Sequence, residues 1–274
     1  MKKQNLISVI AIVMLLSSIQ VFSAKEVELS YKLEKGKKYA MEINNRQTIS
    51  MNMMGQSMSL TQNIVINQEI LVADKIEDSY TLELNYKRIR FNQNAMGMEI
   101  QWDSDKPATE DPISQQVAAS LGKAIGTTVT AIIDLRGQPL SNNRSEVITE
   151  ASNVSGFESG MMIVYAGKKV SVGETWQVSL KPDPNSDFTI TSDYTLDEIK
   201  GKNAHISFSG NITGTQLMGE KAEISGTLSG KTIVELASGW IVSASINQAM
   251  EMEMEQQGTI IPMQMNSFIE MNSK

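Results

Sequence analysis

Apolar and polar residues alternate with a period of two along most of the chain, the repeat of a strand with one buried and one wet face. From Met41 the odd positions Met41, Ile43, Ile49, Met51 and Met53 are apolar, while Glu42, Asn44, Arg46, Thr48, Ser50 and Asn52 between them are polar. After a turn read at Gly55-Gln56 the apolar set moves to even positions, with Met58, Leu60, Ile64, Ile66 and Ile70. This change of phase across a short turn predicts a long antiparallel hairpin. The same reading predicts strands over 80–91, 128–135, 204–212, 220–229, 232–236, 240–255 and 259–271, with turns at Gly137, Gly201, Gly230 and Ser238-Gly239. One-sided strands in such number predict a mainly β fold, an antiparallel curved sheet that is half-barrel or barrel-like.

The alternation breaks between residues 105 and 170. In "DPISQQVAASLGKAIG" Asp111 stands at a cap position, Pro112 at the first helical position, and Ile113, Val117, Leu121 and Ile125 on one stripe. An amphipathic helix is expected there, and a second helical piece around 145–152, extending through "FESGMMIVYAG". The flanks of this connector resemble each other. "LEKGKKYAMEI" is answered by "VSVGETWQVSL", with Gly36 and Tyr39 against Gly173 and Trp176, and "DKIEDSYTLEL" by "DEIKGKNAHISF". The expected organisation is a signal peptide over 1–24, β units over 25–105 and 170–274 related by duplication, and a connector over 106–169 with one or two helices and a hairpin.

Composition narrows the setting. Met1-Lys2-Lys3, an apolar run of about 11 residues from Leu6 to Leu16, and the small-residue exit "VFSA" have the form of a secretory signal peptide. Cleavage near Ser23 or Ala24 is expected, giving an exported protein, periplasmic or secreted. The run falls short of the roughly 18 to 20 residues that span a bilayer, so no transmembrane segment is expected in the mature chain. With no cysteine, disulfides, thiolate metal sites and thiol nucleophiles are excluded. Loss of Lys2 and Lys3 moves the formal net charge from -7 to about -9, which argues against nucleic acid as a partner.

"LEKGKKY", the central "IIDLRGQPL" and "KKVSVGETW", followed by two long closing hairpins, together resemble an uncharacterised family of exported bacterial β-rich proteins known only as a domain of unknown function. The resemblance spans nearly all of the mature chain. It implies an exported or envelope β protein, and no activity or catalytic residue.

Candidate chemistry centres on the 18 methionines, above all "INQAMEMEMEQQG". Met is adaptable and apolar, so Met51, Met53, Met58, Met250, Met252, Met254, Met263 and Met265 are expected either to fill the core face or to form a concave apolar surface. The functional expectation is a non-enzymatic protein that binds a lipid, another hydrophobic ligand or an apolar envelope partner there, with no cofactor. The alternative is periplasmic Cu(I) binding by Met250, Met252, Met254, Met263 and Met265, since thioether sulfur suits that ion. Glu251, Glu253 and Glu255 are expected on the opposite, wet face. Asp183, Asn185 and Asp187 open like a calcium loop, but Phe188 stands where Gly is needed and Tyr194 where the bidentate Glu is needed. His205, the single histidine, has no nucleophile elbow to serve and reads as structural. Trp102, Trp176 and Trp240 are expected to seal core edges.

Overall fold

The computed structural model describes residues 26–53, 56–107, 110–141, 162–181, 187–217, 220–256 and 259–274. The strands are β1 (Val27–Glu28), β2 (Lys38–Met53), β3 (Gln56–Ile76), β4 (Ser79–Ala95), β5 (Met98–Asp103), β6 (Thr128–Asp134), β7 (Pro139–Ser141), β8 (Lys169–Val170), β9 (Thr175–Leu180), β10 (Thr189–Lys200), β11 (Asn203–Leu217), β12 (Glu220–Glu235), β13 (Ile241–Gln256) and β14 (Thr259–Ser273). Twelve of them form one antiparallel sheet in the order β7-β6-β4-β3-β2-β14-β13-β12-β11-β10-β9, with β5 beside β4, and β1 pairs with β8 apart from it. The sheet is curved and is not closed into a barrel.

The hairpin read from Met41 to Ile70 forms as its alternation requires. Ile43 faces Ile66 and Met51 faces Met58 across it, and odd residues of β2 share the buried face with even residues of β3. The helix α1 (Pro112–Leu121) begins at Asp111, whose carboxylate accepts from the Ser114 N–H at 2.7 Å. Of the expected stripe, Leu121 is buried and Val117 and Ile125 pack on the core, but Ile113 is exposed, with Ser114 buried and Ala118 packed on the core beside them. The signal peptide and the second helical piece up to residue 161 lie outside the described residues, and the extension expected over 162–167 is irregular backbone rather than helix.

Gly230 is a further correction. It lies within β12, paired with Ile246 and Phe208, rather than in a turn. A Cβ there would meet the Ser245 carbonyl at 2.3 Å and the Phe208 ring at 2.6 Å. The residue is small because neighbouring strands curl tightly over it.

The two flanks repeat the same local devices. Gly36 and Gly173 both have positive φ, and their N–H groups bond to the carbonyls of Val72 and Leu196 at 2.8 and 2.7 Å. A bulge follows each acceptor, between Val72 and Asp74 and between Leu196 and Glu198, before a turn through Glu77 or Gly201 at positive φ. Both sets of strands belong to one sheet, where β2 of the first flank pairs with β14 of the second.

At one end, here called the base, residues 29–33 and 163–165 cross the inner face. Tyr31 N–H bonds to Leu135 O and Lys32 N–H to Ser238 O, both at 2.8 Å, while Tyr165 N–H bonds to Arg136 O at 2.9 Å. Tyr31 OH donates to Ile163 O at 3.2 Å, Tyr165 OH to Gly239 O at 2.6 Å and Trp176 Nε1–H to Val164 O at 2.9 Å. Tyr39 stacks on Trp240 at 4.0 Å. Tyr31, Tyr165 and Trp176 thus each bury a large apolar area while the polar atom finds a partner, the condition for placing Tyr and Trp in a core. Trp102, Trp176 and Trp240 are all buried members of the main core.

Candidate functional site

Away from the base the inner face changes character. Strand register sets a polar row across five strands, Gln93 opposite Gln62, Gln62 opposite Gln47, Gln47 opposite Ser267, and Ser267 opposite Gln248. Gln47, Gln62 and Ser267 are buried. This row divides two apolar regions. The main core lies on its base side, and a separate cluster of Ile212, Ala222, Ile224, Met250 and Met252 lies beyond it, toward the hairpin tips.

The methionines singled out in the sequence converge in that outer region. Met252 pairs with Met263, Met263 with Met51, and Met51 with Met58, so four methionines stand abreast on four successive strands. One step toward the polar row, Met250 pairs with Met265, and Met265 with Ile49. Residues directly opposite in antiparallel strands have Cα atoms about 4.5 to 5.5 Å apart, well within the reach of side chains this long. Met250 and Met252 are buried, whereas Met51, Met58, Met263 and Met265 are half-buried. Met254 lies one step nearer the tip, between Ala222 and Ile261. Met53 pairs with Gln56 at the end of β2, and its side chain lies outside the description. Gln248 donates from Nε2 to the Met250 sulfur at 2.7 Å, linking the polar row to the thioethers.

Beside this array, on the C-terminal half of the inner face, is an apolar cavity of about 90 Å³. Leu180, Phe188, Ile190, Phe208 and Leu228 line it together with Met162, Ile163, Ile241, Ile246, Ile269 and Met271, and Ser192, Thr232 and Gln248 are among its polar points. It joins the methionine-rich cluster, to which Phe188, Ile190 and Leu228 belong, to the main core at Ile269. Gly210, Gly226 and Gly230 are paired with inner-face residues of β10 to β13, and a Cβ at each would strike a neighbouring carbonyl within 2.6 Å. Sequence reasoning missed this cavity. The available signal was the run of even-numbered glycines, at 210, 214, 226 and 230, in phase with Ile206, Phe208, Ile224 and Leu228.

Glu251, Glu253 and Glu255 are exposed on the opposite face. Glu253 stands directly across from Glu223, and Glu255 meets Lys221 at 3.3 Å in an exposed pair that contributes little stability. Asp187 binds the protein's own Thr215: it accepts from the Thr215 N–H at 2.7 Å and from its hydroxyl, and these bonds hold its carboxyl below the usual range. His205 faces Glu198 at 3.7 Å between Nδ1 and Oε1. Among the described residues no group of three or more His, Asp or Glu could hold a metal ion, and no helix is long and apolar enough to cross a membrane.

Among solved structures, lipovitellin, in a structure describing its lipid–protein interactions, is similar at 10% identity and a TM-score of 0.51 over 89% of this chain. That match takes in 25% of the lipovitellin chain, so this chain spans about a quarter of its length. An outer membrane channel from Pseudomonas putida F1 matches over 89% of this chain and 97% of its own, at 8% identity and a TM-score of 0.26. The translocator domain of autotransporter NalP from Neisseria meningitidis matches over 88% and 89%, at 7% identity and a TM-score of 0.25. At these identities the lipovitellin likeness concerns the fold alone. No curated protein matches the sequence. The resemblance read from the sequence does have a counterpart among family models: residues 149–241 match that of DUF6263, a family of unknown function.

Proposed function

We propose that the protein is an exported, non-enzymatic binding protein that accepts a hydrophobic ligand on the inner face of its sheet. The observation that carries this reading is the apolar cavity between the main core and the methionine-rich cluster. At about 90 Å³ it is smaller than the roughly 300 Å³ at which small-molecule sites begin. A ligand such as an acyl chain therefore enters only if its walls yield. Of the residues in its wall, Met162 and Met271 are best suited to yield, Met being unbranched and free to change rotamer at low cost. The cavity thus receives one end of the ligand and the methionine face covers the rest. The lipovitellin likeness is compatible with this reading and adds only that such a sheet can be built.

The test is displacement of a fluorescent fatty acid from the mature protein, with native mass spectrometry for any ligand carried through purification. Leu228→Trp fills the cavity from a half-buried lining position and is expected to weaken probe binding at least about tenfold. Wild-type protein that binds no apolar probe, or a folded Leu228→Trp variant that binds as wild type does, sinks the reading.

A further inference from the structure

The row of four methionines can do something that an apolar surface of Leu or Ile cannot. Thioether sulfur is a soft, neutral donor that selects Cu(I) over the harder divalent ions. We propose that Met51, Met252 and Met263 form a site for a soft monovalent ion of the Cu(I) class, with Met58 flanking it. The ion binds without change of oxidation state.

Three observations carry this assignment. First, the register places the three residues on β2, β13 and β14 with Met263 in the middle, directly opposite both of the others. Across two strand spacings the outer pair is about 10 Å apart at the backbone, and two extended Met side chains on the inner side of a curved sheet can meet over the central one. Second, Pro262 follows immediately beyond the row. Proline gives no ladder N–H, and among the described residues the pairing of β14 with β2 ends at Met263 and Met51. The two hairpins therefore part at the row, and Met51 and Met263, both half-buried, stand where they part. Third, the carboxylates of Glu251 and Glu253 are exposed on the other face of β13, so this strand adds no hard donor to the row, and they raise the local concentration of cations around the tip.

The structure also revises the ligand set. The reading from sequence placed all ligands on the last hairpin, yet Met51 comes from the first hairpin and shares the row, while Met254 stands beside Ala222 and Ile261.

The experiment uses Ag(I), a redox-inert ion with the same preference, and the mature full-length protein labelled with ¹³C at the methionine methyl groups. Expected is retention of a single Ag(I) in native mass spectra, with methyl shifts at Met51, Met252 and Met263 and none at exposed Met96. The triple variant M51L/M252L/M263L conserves volume and apolarity, so it should keep its thermal midpoint and lose at least about tenfold in Ag(I) affinity. Failure of the wild type to retain Ag(I), or equal affinity in a folded triple variant, overturns the proposal. The hydrophobic-ligand reading is tested separately, because Leu228→Trp fills the cavity and leaves Met51, Met252 and Met263 in place, so Ag(I) binding is expected to persist in that variant whatever becomes of the fatty acid.

Discussion

Single side chains at opposite ends of the titration range report on different parts of the molecule. Burial pushes the Tyr194 hydroxyl up to about 12 and raises those of Tyr31 and Tyr165 far above their ordinary range. The Tyr194 contribution to stability is therefore complete below about pH 10, the unfolded value, and is lost as pH rises through about 12. Asp103 behaves in the opposite sense. Arg88 grips its two oxygens at 3.0 and 2.7 Å, and these bonds hold the carboxyl at about 2. This contribution is present above about pH 3.9 and fades as pH falls toward about 2. Urea midpoints measured across pH should fall at both ends. In Asp103→Asn the acid limb is expected to become shallower with the alkaline limb unchanged, and an unchanged acid limb would show that other carboxylates control it.

At the scale of elements, alternation decides which face of a strand is buried, but it leaves open which strands meet. Met41, Ile43, Ile64 and Ile70 were legible as core because a period of two fixes their side of the strand. The four-methionine row was legible only as separate stripes, since its members are far apart in sequence and only register joins them. Gly230 was misread because glycine required by close approach and glycine required by a turn look alike in a sequence. Ile113 was misread because Ser114 rather than Ile113 is buried at the start of α1, although Val117, Leu121 and Ile125 of the expected stripe do meet the core. Substitution separates the two kinds of glycine. Gly230→Ala drives a Cβ into the Ser245 carbonyl and should destabilise by more than about 2 kcal/mol. Gly201→Asn sits at φ 60° with no atom within 4 Å of its Cβ and should cost less than about 1 kcal/mol. Equal shifts of the urea midpoint would mean that tight curvature at β12 is not what selects glycine.

For the whole molecule, the likeness of the two flanks does not translate into independence. The base is closed by residues 29–33, which bond to the turns after β6 and after β12, and by 163–165, which bond to both turns as well. β2 has β3 on one side and β14 on the other. A fragment of residues 26–141 therefore loses the hydroxyl and ring partners of Tyr31 at Ile163, Tyr165 and Trp240, and one whole edge of β2. Its far-ultraviolet circular dichroism should lack the cooperative thermal transition of the full chain, and such a transition in the fragment would show that the first flank folds alone.

The place of β14 also has a meaning in time. Arg46 on β2 meets Glu270 on β14, 224 positions further along the chain, yet the two strands are neighbours in the middle of the sheet. A ribosome makes β2 early and its partner late, and an open strand edge left waiting is a template for pairing with the wrong chain. Folding dominated by such distant pairings is also slow. The chain is thus one whose nascent form gains from being held unfolded until β14 has been made, so that the sheet is assembled from its centre rather than in the order of synthesis.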